Sequence, residues 1–160
     1  MKTITYRIAF SLVVLPFLLA QPLSSVKAEE YAWRMATVFP TKMPILTTGP
    51  KRFAAYVEKA SGGRMKIEIH GRPVHKKKPS ETLDLVASGT YQMVHATALY
   101  YNKKEPAFDI ISGIPFGFTP LEHYAWLYGG GGQELMQELF SRHGVVAFSV
   151  GNTGDRKSVV

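Results

Sequence analysis

Thr97, Tyr100, Tyr101 and Asn102 place a hydroxyl, two phenols and an amide close together in the chain. Groups of this kind donate hydrogen bonds to carbonyl or carboxylate oxygens, while the rings supply flat apolar surface. They follow Met93, Val94, Ala96 and Ala98, an apolar run that reads as a strand buried on both faces. The polar cluster therefore falls at the carboxyl end of a strand, where open α/β sheets bind ligands. Adjacent strand residues point to opposite faces, so one of the two tyrosines faces a ligand and the other packs in the core or on the surface. The spacing leaves open which is which.

Other chemistry finds less support. The chain has no cysteine, which excludes thiol catalysis, disulfides and cysteine metal sites. Of its five histidines only His70 and His75 are close in sequence, and their separation fits neither a helical metal pair nor a mixed cysteine site. His95, within the central strand, reads as a hydrogen-bonded core residue. Phe148-Ser149-Val150-Gly151 lacks the first glycine of a hydrolase elbow. Gly129 to Gly132 is followed by Gln133, not by Gly-Lys-Ser/Thr, and so joins two helices instead of cradling phosphate. Glu122, Asp109 and His123 keep a small exported enzyme as an alternative, although nothing pairs the carboxylates at a reaction centre. No cofactor and no metal are expected.

The elements that must position the cluster come next. Lys2 and Arg7, an apolar segment from Ile8 to Ala20 and Val26-Lys27-Ala28 make residues 1–28 a secretory signal peptide cleaved after Ala28. The apolar run is too short to span a bilayer. Its removal lowers the net charge of +7 by three, which leaves a mildly basic chain with no nucleic-acid signature; Lys76 to Lys78 lack interleaved aromatics and read as a solvated loop. The rest is one domain's worth of sequence. A cysteine-free exported chain suits a bacterial periplasm.

Tyr31 to Phe39 reads as a strand, Thr41 to Pro50 as a loop or helix start, and Phe53, Tyr56, Val57 and Ala60 as the apolar face of a helix ended by Gly62-Gly63. Met65 to His70 alternates as a half-buried strand, and Gly71 to Pro79 reads as a loop. Ser80 reads as the cap of a short helix bearing Leu83, Val86 and Ala87. Thr119-Pro120-Leu121-Glu122 is a capping box with proline at the first helical position, and Leu121, Tyr124, Ala125 and Tyr128 line one face of the helix it opens. A second helix buries Leu135, Met136, Leu139, Phe140 and His143, and Val145 to Val150 reads as a buried strand. Four strands alternating with helices predict an α/β fold with a parallel or mixed sheet.

Taken in order, Trp33-Arg34-Met35-Ala36-Thr37 with Phe39-Pro40, Ala87-Ser88-Gly89-Thr90 before Met93, Ile114-Pro115-Phe116-Gly117, Ala125-Trp126-Leu127-Tyr128 and Gly151-Asn152-Thr153-Gly154 resemble the solute-binding subunit of tripartite ATP-independent periplasmic (TRAP) transporters. The branch most resembled binds 2-oxo acids and related carboxylates. The resemblance implies a periplasmic-binding-protein-like fold of two α/β domains that close on an organic acid. It implies a small carboxylate ligand gripped by an arginine beyond this chain, and integral membrane permease subunits as partners. Carried over by position, Phe39 lines the cleft, Tyr101 donates to the carboxylate and Asn152 lies at its polar floor; Thr97 joins them from the strand-end reasoning.

Two stretches depart from the family pattern: the basic Gly71 to Lys78, and Asp155 to Val160. Both are read as reading-frame disturbances. Residues 29–154 are then the amino-terminal α/β portion of a receptor whose second domain is largely missing, and 155–160 an aberrant tail. A non-functional truncated product is the remaining alternative.

Overall fold

The computed structural model describes residues 29–113 and 117–151. The expected leader, Asn152 and the expected tail lie outside them. Strand β1 (Tyr31–Thr37) leads to helix α1 (Pro44–Ala60), strand β2 (Met65–His70), a single helical turn α2 (Arg72–His75), helix α3 (Thr82–Ala87) and strand β3 (Met93–His95). Helices α4 (Ala107–Ser112), α5 (Pro120–Gly129) and α6 (Gly132–Ser141) complete the order.

The sheet is parallel throughout, in the order β2-β1-β3. Tyr31 stands opposite Met65 and Ala36 opposite His70, while Met35, Ala36 and Thr37 stand opposite Met93, Val94 and His95. The first crossover runs outward from β1 to β2, and the second returns across β1 to β3. Parallel crossovers are right-handed, so the two connections cover opposite faces. The packing agrees: Ala36, Leu85, Tyr91 and Val94 cluster on one side, whereas Ile67 and Ile69 border Ala54 and Ala55 of α1.

β2 keeps the expected bounds, and its burial alternates from Met65 to Ile69, with His70 half-buried at its end. β3 is shorter and more open than a strand buried on both faces. Its ladder partner is β1, which ends at Thr37, so pairing stops at His95 and the chain turns into a 3-10 segment at Ala98–Tyr101. Helix α1 begins earlier than its composition suggests. Pro44 occupies its first position, Thr47 and Thr48 bond back to the carbonyls of Met43 and Pro44, and Pro50 lies inside it. Its expected apolar face is largely open, with Tyr56 70% exposed, because the small side chains Ala54 and Ala55 border β2.

The basic stretch expected as a loop holds α2 and a 3-10 turn at Pro79–Glu81. There the carboxylate of Glu81 accepts the Lys78 N–H at 2.9 Å, so Glu81 and not Ser80 supplies the local cap. Val145 to Val150 forms no ladder. The side chain of Gln137 takes both the N–H and the C=O of Ala147, in place of a neighbouring strand.

The larger core lies beside the sheet. Leu83, Tyr101, Phe108, Met136, Leu139, Phe140 and Val145 form one buried cluster. Tyr101 meets Phe108 edge-on at 5.6 Å and Phe140 at 6.4 Å between ring centroids, with Phe108 and Phe140 5.0 Å apart. Tilted and edge-on aromatic contacts add to the effect of burial alone. Leu135, expected on the buried side of α6, is exposed, and His143 is half-buried.

Candidate functional site

In the order β2-β1-β3 the connections leaving β1 and entering β3 diverge to opposite faces. The carboxyl ends of those two strands therefore flank a crevice, the position where open α/β sheets take ligands. Thr37 and Phe39 arrive there from β1, and His95 and Thr97 from β3.

Thr37 is the hub of this end of the sheet and is buried. His75 Nε2 lies 3.0 Å from the Thr37 carbonyl, while His75 Nδ1 accepts the Lys77 N–H at 3.2 Å. These two bonds fix His75 as the Nε2–H tautomer. The Thr37 hydroxyl lies 3.2 Å from His95 Nδ1 and accepts the Phe39 N–H at 3.3 Å. The Val38 N–H donates to the His95 carbonyl at 3.1 Å. The Phe39 ring tilts against the imidazole of His95, 5.1 Å between centroids. Burial pushes the His95 pKa below its ordinary value of 6.5, which keeps the ring neutral at pH 7.

On the opposite face Tyr91 lies under the strand ends. Its hydroxyl meets His70 Nδ1 at 2.9 Å, and Arg34 stacks over its ring at 5.1 Å. His70 Nε2 also meets the Glu68 carboxylate at 3.1 Å. The three histidines bond different atoms: His75 the Thr37 carbonyl, His95 the Thr37 hydroxyl, and His70 the Tyr91 hydroxyl. Among the described residues no grouping of three or more His, Asp or Glu could hold a metal ion.

Of the expected site residues, Phe39 and Thr97 stand half-buried at the β1 and β3 ends. Tyr101 is in the interior, 2% exposed. Thr82 gives its hydroxyl proton to the Pro79 carbonyl at 2.7 Å, so the Tyr101 hydroxyl donates to Thr82 Oγ1 at 3.0 Å. Burial pushes its pKa up to about 12. Asn152 lies outside the described residues, so the expected convergence of Tyr101 and Asn152 has no geometry here. The carboxylates of the enzyme alternative do not converge: Glu122 caps α5 through Thr119 at 2.8 Å, Asp109 lies in the first turn of α4, and His123 packs on Trp126. An open groove of 460 Å³ runs between α1 and β2. It lies at the outer edge of the sheet, one strand away from the β1/β3 crevice.

Residues 35–159 match the family model of bacterial extracellular solute-binding proteins, family 7, also called DctP. This chain belongs to that family. The DctP family is one of transport proteins that bind solutes, not a family of enzymes. A monocarboxylate 2-oxoacid-binding periplasmic protein of Nostoc sp. is 34% identical over 134 residues, covering 82% of this chain and 36% of that protein.

Two solved structures of TRAP periplasmic solute binding proteins superpose well. One, from Pseudoalteromonas atlantica with bound sodium and pyruvate, has a TM-score of 0.72 and 37% identity over 75% of this chain and 36% of its own. The other, from Colwellia psychrerythraea with bound calcium and pyruvate, has a TM-score of 0.70 and 34% identity over the same shares. The chain thus spans about a third of the length of these relatives, and the α/β portion described here is the part it shares with them.

Thr37, His75 and His95 are the polar residues that composition did not single out as site residues. Thr37 is the last residue of β1, but in the sequence it stands between the apolar Met35-Ala36 and Val38-Phe39 and nothing marks it as the strand's end. His75 was read as one more basic loop residue, because a single turn of helix leaves no periodicity to detect.

Proposed function

We propose that this DctP chain is the amino-terminal part of an extracytoplasmic receptor of a TRAP transporter. It contributes one wall of a cleft for a small organic acid, a 2-oxo acid or related carboxylate, which is passed to integral membrane permease subunits. Export by a cleaved signal peptide over residues 1–28 places it in the periplasm. The observation that carries this reading is the β1/β3 crevice, lined by Phe39 and Thr97, on a fold shared with pyruvate-bound relatives. Phe39, Thr97, Tyr101 and Asn152 are the ligand-facing set. Tyr101 reaches a ligand only by turning its hydroxyl from Thr82.

Residues 1–160 span about a third of the relatives' length, and a small ligand takes most of its affinity from being enclosed. Calorimetric titration with pyruvate should therefore give a saturable but millimolar isotherm, with the uncharged methyl ester of pyruvate binding more weakly still. Substitution Tyr101→Phe should weaken the isotherm if the phenol turns to the ligand. Equal binding of acid and ester would overturn the carboxylate reading, a micromolar isotherm the one-wall reading, and chemical turnover of pyruvate the receptor reading.

A further inference from the structure

We propose that His95 is a ligand-binding residue whose Nε2–H donates a hydrogen bond to a carboxylate oxygen of the ligand, and that Thr37 is the positioning residue that holds it in that tautomer. The inference rests on the receptor reading above and adds to it a specific atom.

The tautomer follows from proton accounting. The Thr37 hydroxyl has one proton and is buried, and His95 Nδ1 is the acceptor beside it among the described residues. The hydroxyl oxygen is already an acceptor for the Phe39 N–H. Giving that proton to Nδ1 is the arrangement that leaves no buried hydroxyl proton without an acceptor among the described residues, and it puts the ring proton of neutral His95 on Nε2. Burial supports the neutral form.

Nε2 itself has no hydrogen-bond partner among the described residues, nor is it one of the buried unpaired atoms there. His95 is the last residue of β3 and is half-buried, two residues before Thr97 in the chain. The other two histidines of this end are differently placed: both ring nitrogens of His75 are bonded, and both nitrogens of His70 face Tyr91 or Glu68. Of the three, His95 alone presents an uncommitted donor among these residues. Its ring plane is set by Phe39 on one side and its rotation by Thr37 at Nδ1. A donor oriented before the ligand arrives loses little freedom on binding.

The test is a long-range ¹H–¹⁵N spectrum of the imidazoles of the full chain, with and without pyruvate. Free protein should show His95 as the Nε2–H tautomer. Saturating pyruvate should shift His95 Nε2 and leave the nitrogens of His70 and His75 in place. Substitution His95→Phe should weaken pyruvate binding by about tenfold, the effect of one lost hydrogen bond to a charged acceptor, and His95→Gln should recover part of it. Thr37→Val should mix the His95 tautomers. Backbone amide spectra of each variant establish that the fold persists.

A His95 resonance that stays fixed while the amides of Phe39 and Thr97 shift would overturn this proposal and leave the receptor reading standing. An Nδ1–H tautomer in the free protein would overturn it too. An absence of any shift with pyruvate would remove both.

Discussion

Helices α5 and α6 are ten residues each and are joined across the glycines, but their apolar side chains meet different surroundings. In α6, Met136, Leu139 and Phe140 are buried against Tyr101, Phe108 and Leu83. In α5 only Leu127 is buried, while Leu121, Tyr124 and Tyr128 are 78, 60 and 55% exposed. The teaching is that an apolar stripe specifies a wish to be covered and says nothing about the cover. α6 has its partners within the described fold. α5 keeps its helical form by local means: proline at its first position, and a cap in which Thr119 and Glu122 satisfy each other's backbone groups.

The sharpest way to break the comparison is truncation on both helices. Phe140→Ala removes a ring from the aromatic cluster and should cost about 3–5 kcal/mol. Leu121→Ala removes an exposed side chain and should stay within about 0.5 kcal/mol. Urea denaturation of the two variants measures the contrast. Equal losses would mean that the exposed stripe of α5 is covered in solution.

The junction gives the next largest effect. A methyl group at Gly132 would stand 2.7 Å from the ring of Trp126, and the same residue is buried at the start of α6. Gly132→Ala must displace that ring or tilt the two helices, at about 1–3 kcal/mol. Thermal unfolding, with Trp126 fluorescence as a second probe, should register both the loss and the moved indole. Gly129→Ala, where the added methyl meets nothing within 4 Å, is the control.

These helices also show which parts of the fold could be read in advance. The α5 start was legible because Thr119, Pro120 and Glu122 act on one another within a single turn. β2 was legible because Met65 to His70 alternate, and alternation depends only on the residues themselves. Val145 to Val150 has strand composition, but its ladder is replaced by Gln137, a residue whose side chain gives no hint of that task. β3 was overextended because its length is set by where β1 stops. At the candidate site, strand-end reasoning put Thr97 beside the crevice and the family resemblance put Phe39 there, whereas the burial of Tyr101 was not legible: two successive tyrosines look alike in sequence, and the buried Thr82 that takes the Tyr101 hydroxyl is distant in the chain. His95 has the reverse history, a residue read as core that stands at the crevice.

If α5 depends on its cap, Thr119→Ala should loosen α5 and spare α6. The cost should be about 1 kcal/mol, read as faster amide exchange in Leu121 to Tyr124 with protection of Met136 to Phe140 unchanged. Uniform loss of protection would mean that the two helices open as one unit.

Acid tests the same point most gently. The Glu122 carboxylate accepts from the Thr119 N–H and hydroxyl, both at 2.8 Å, and these bonds lower its pKa below the ordinary value of 4.5. A group whose folded pKa is depressed contributes stability above its unfolded pKa, and that contribution is lost as pH falls through the folded value. Between pH 7 and 5 the cap of α5 should hold, and below about 4.5 it should weaken as the carboxylate gains a proton. Glu122 is fully exposed, so the effect is small and local: earlier exchange at the first turn of α5 in acid. The Glu122→Gln variant should show the same protection factors, exchange rates taken relative to the intrinsic rate at each pH, throughout this range, because its side chain can still accept but does not titrate. If the wild-type profile is equally flat, the cap is not what holds α5, and its uncovered face must be stabilised by something other than its own first turn.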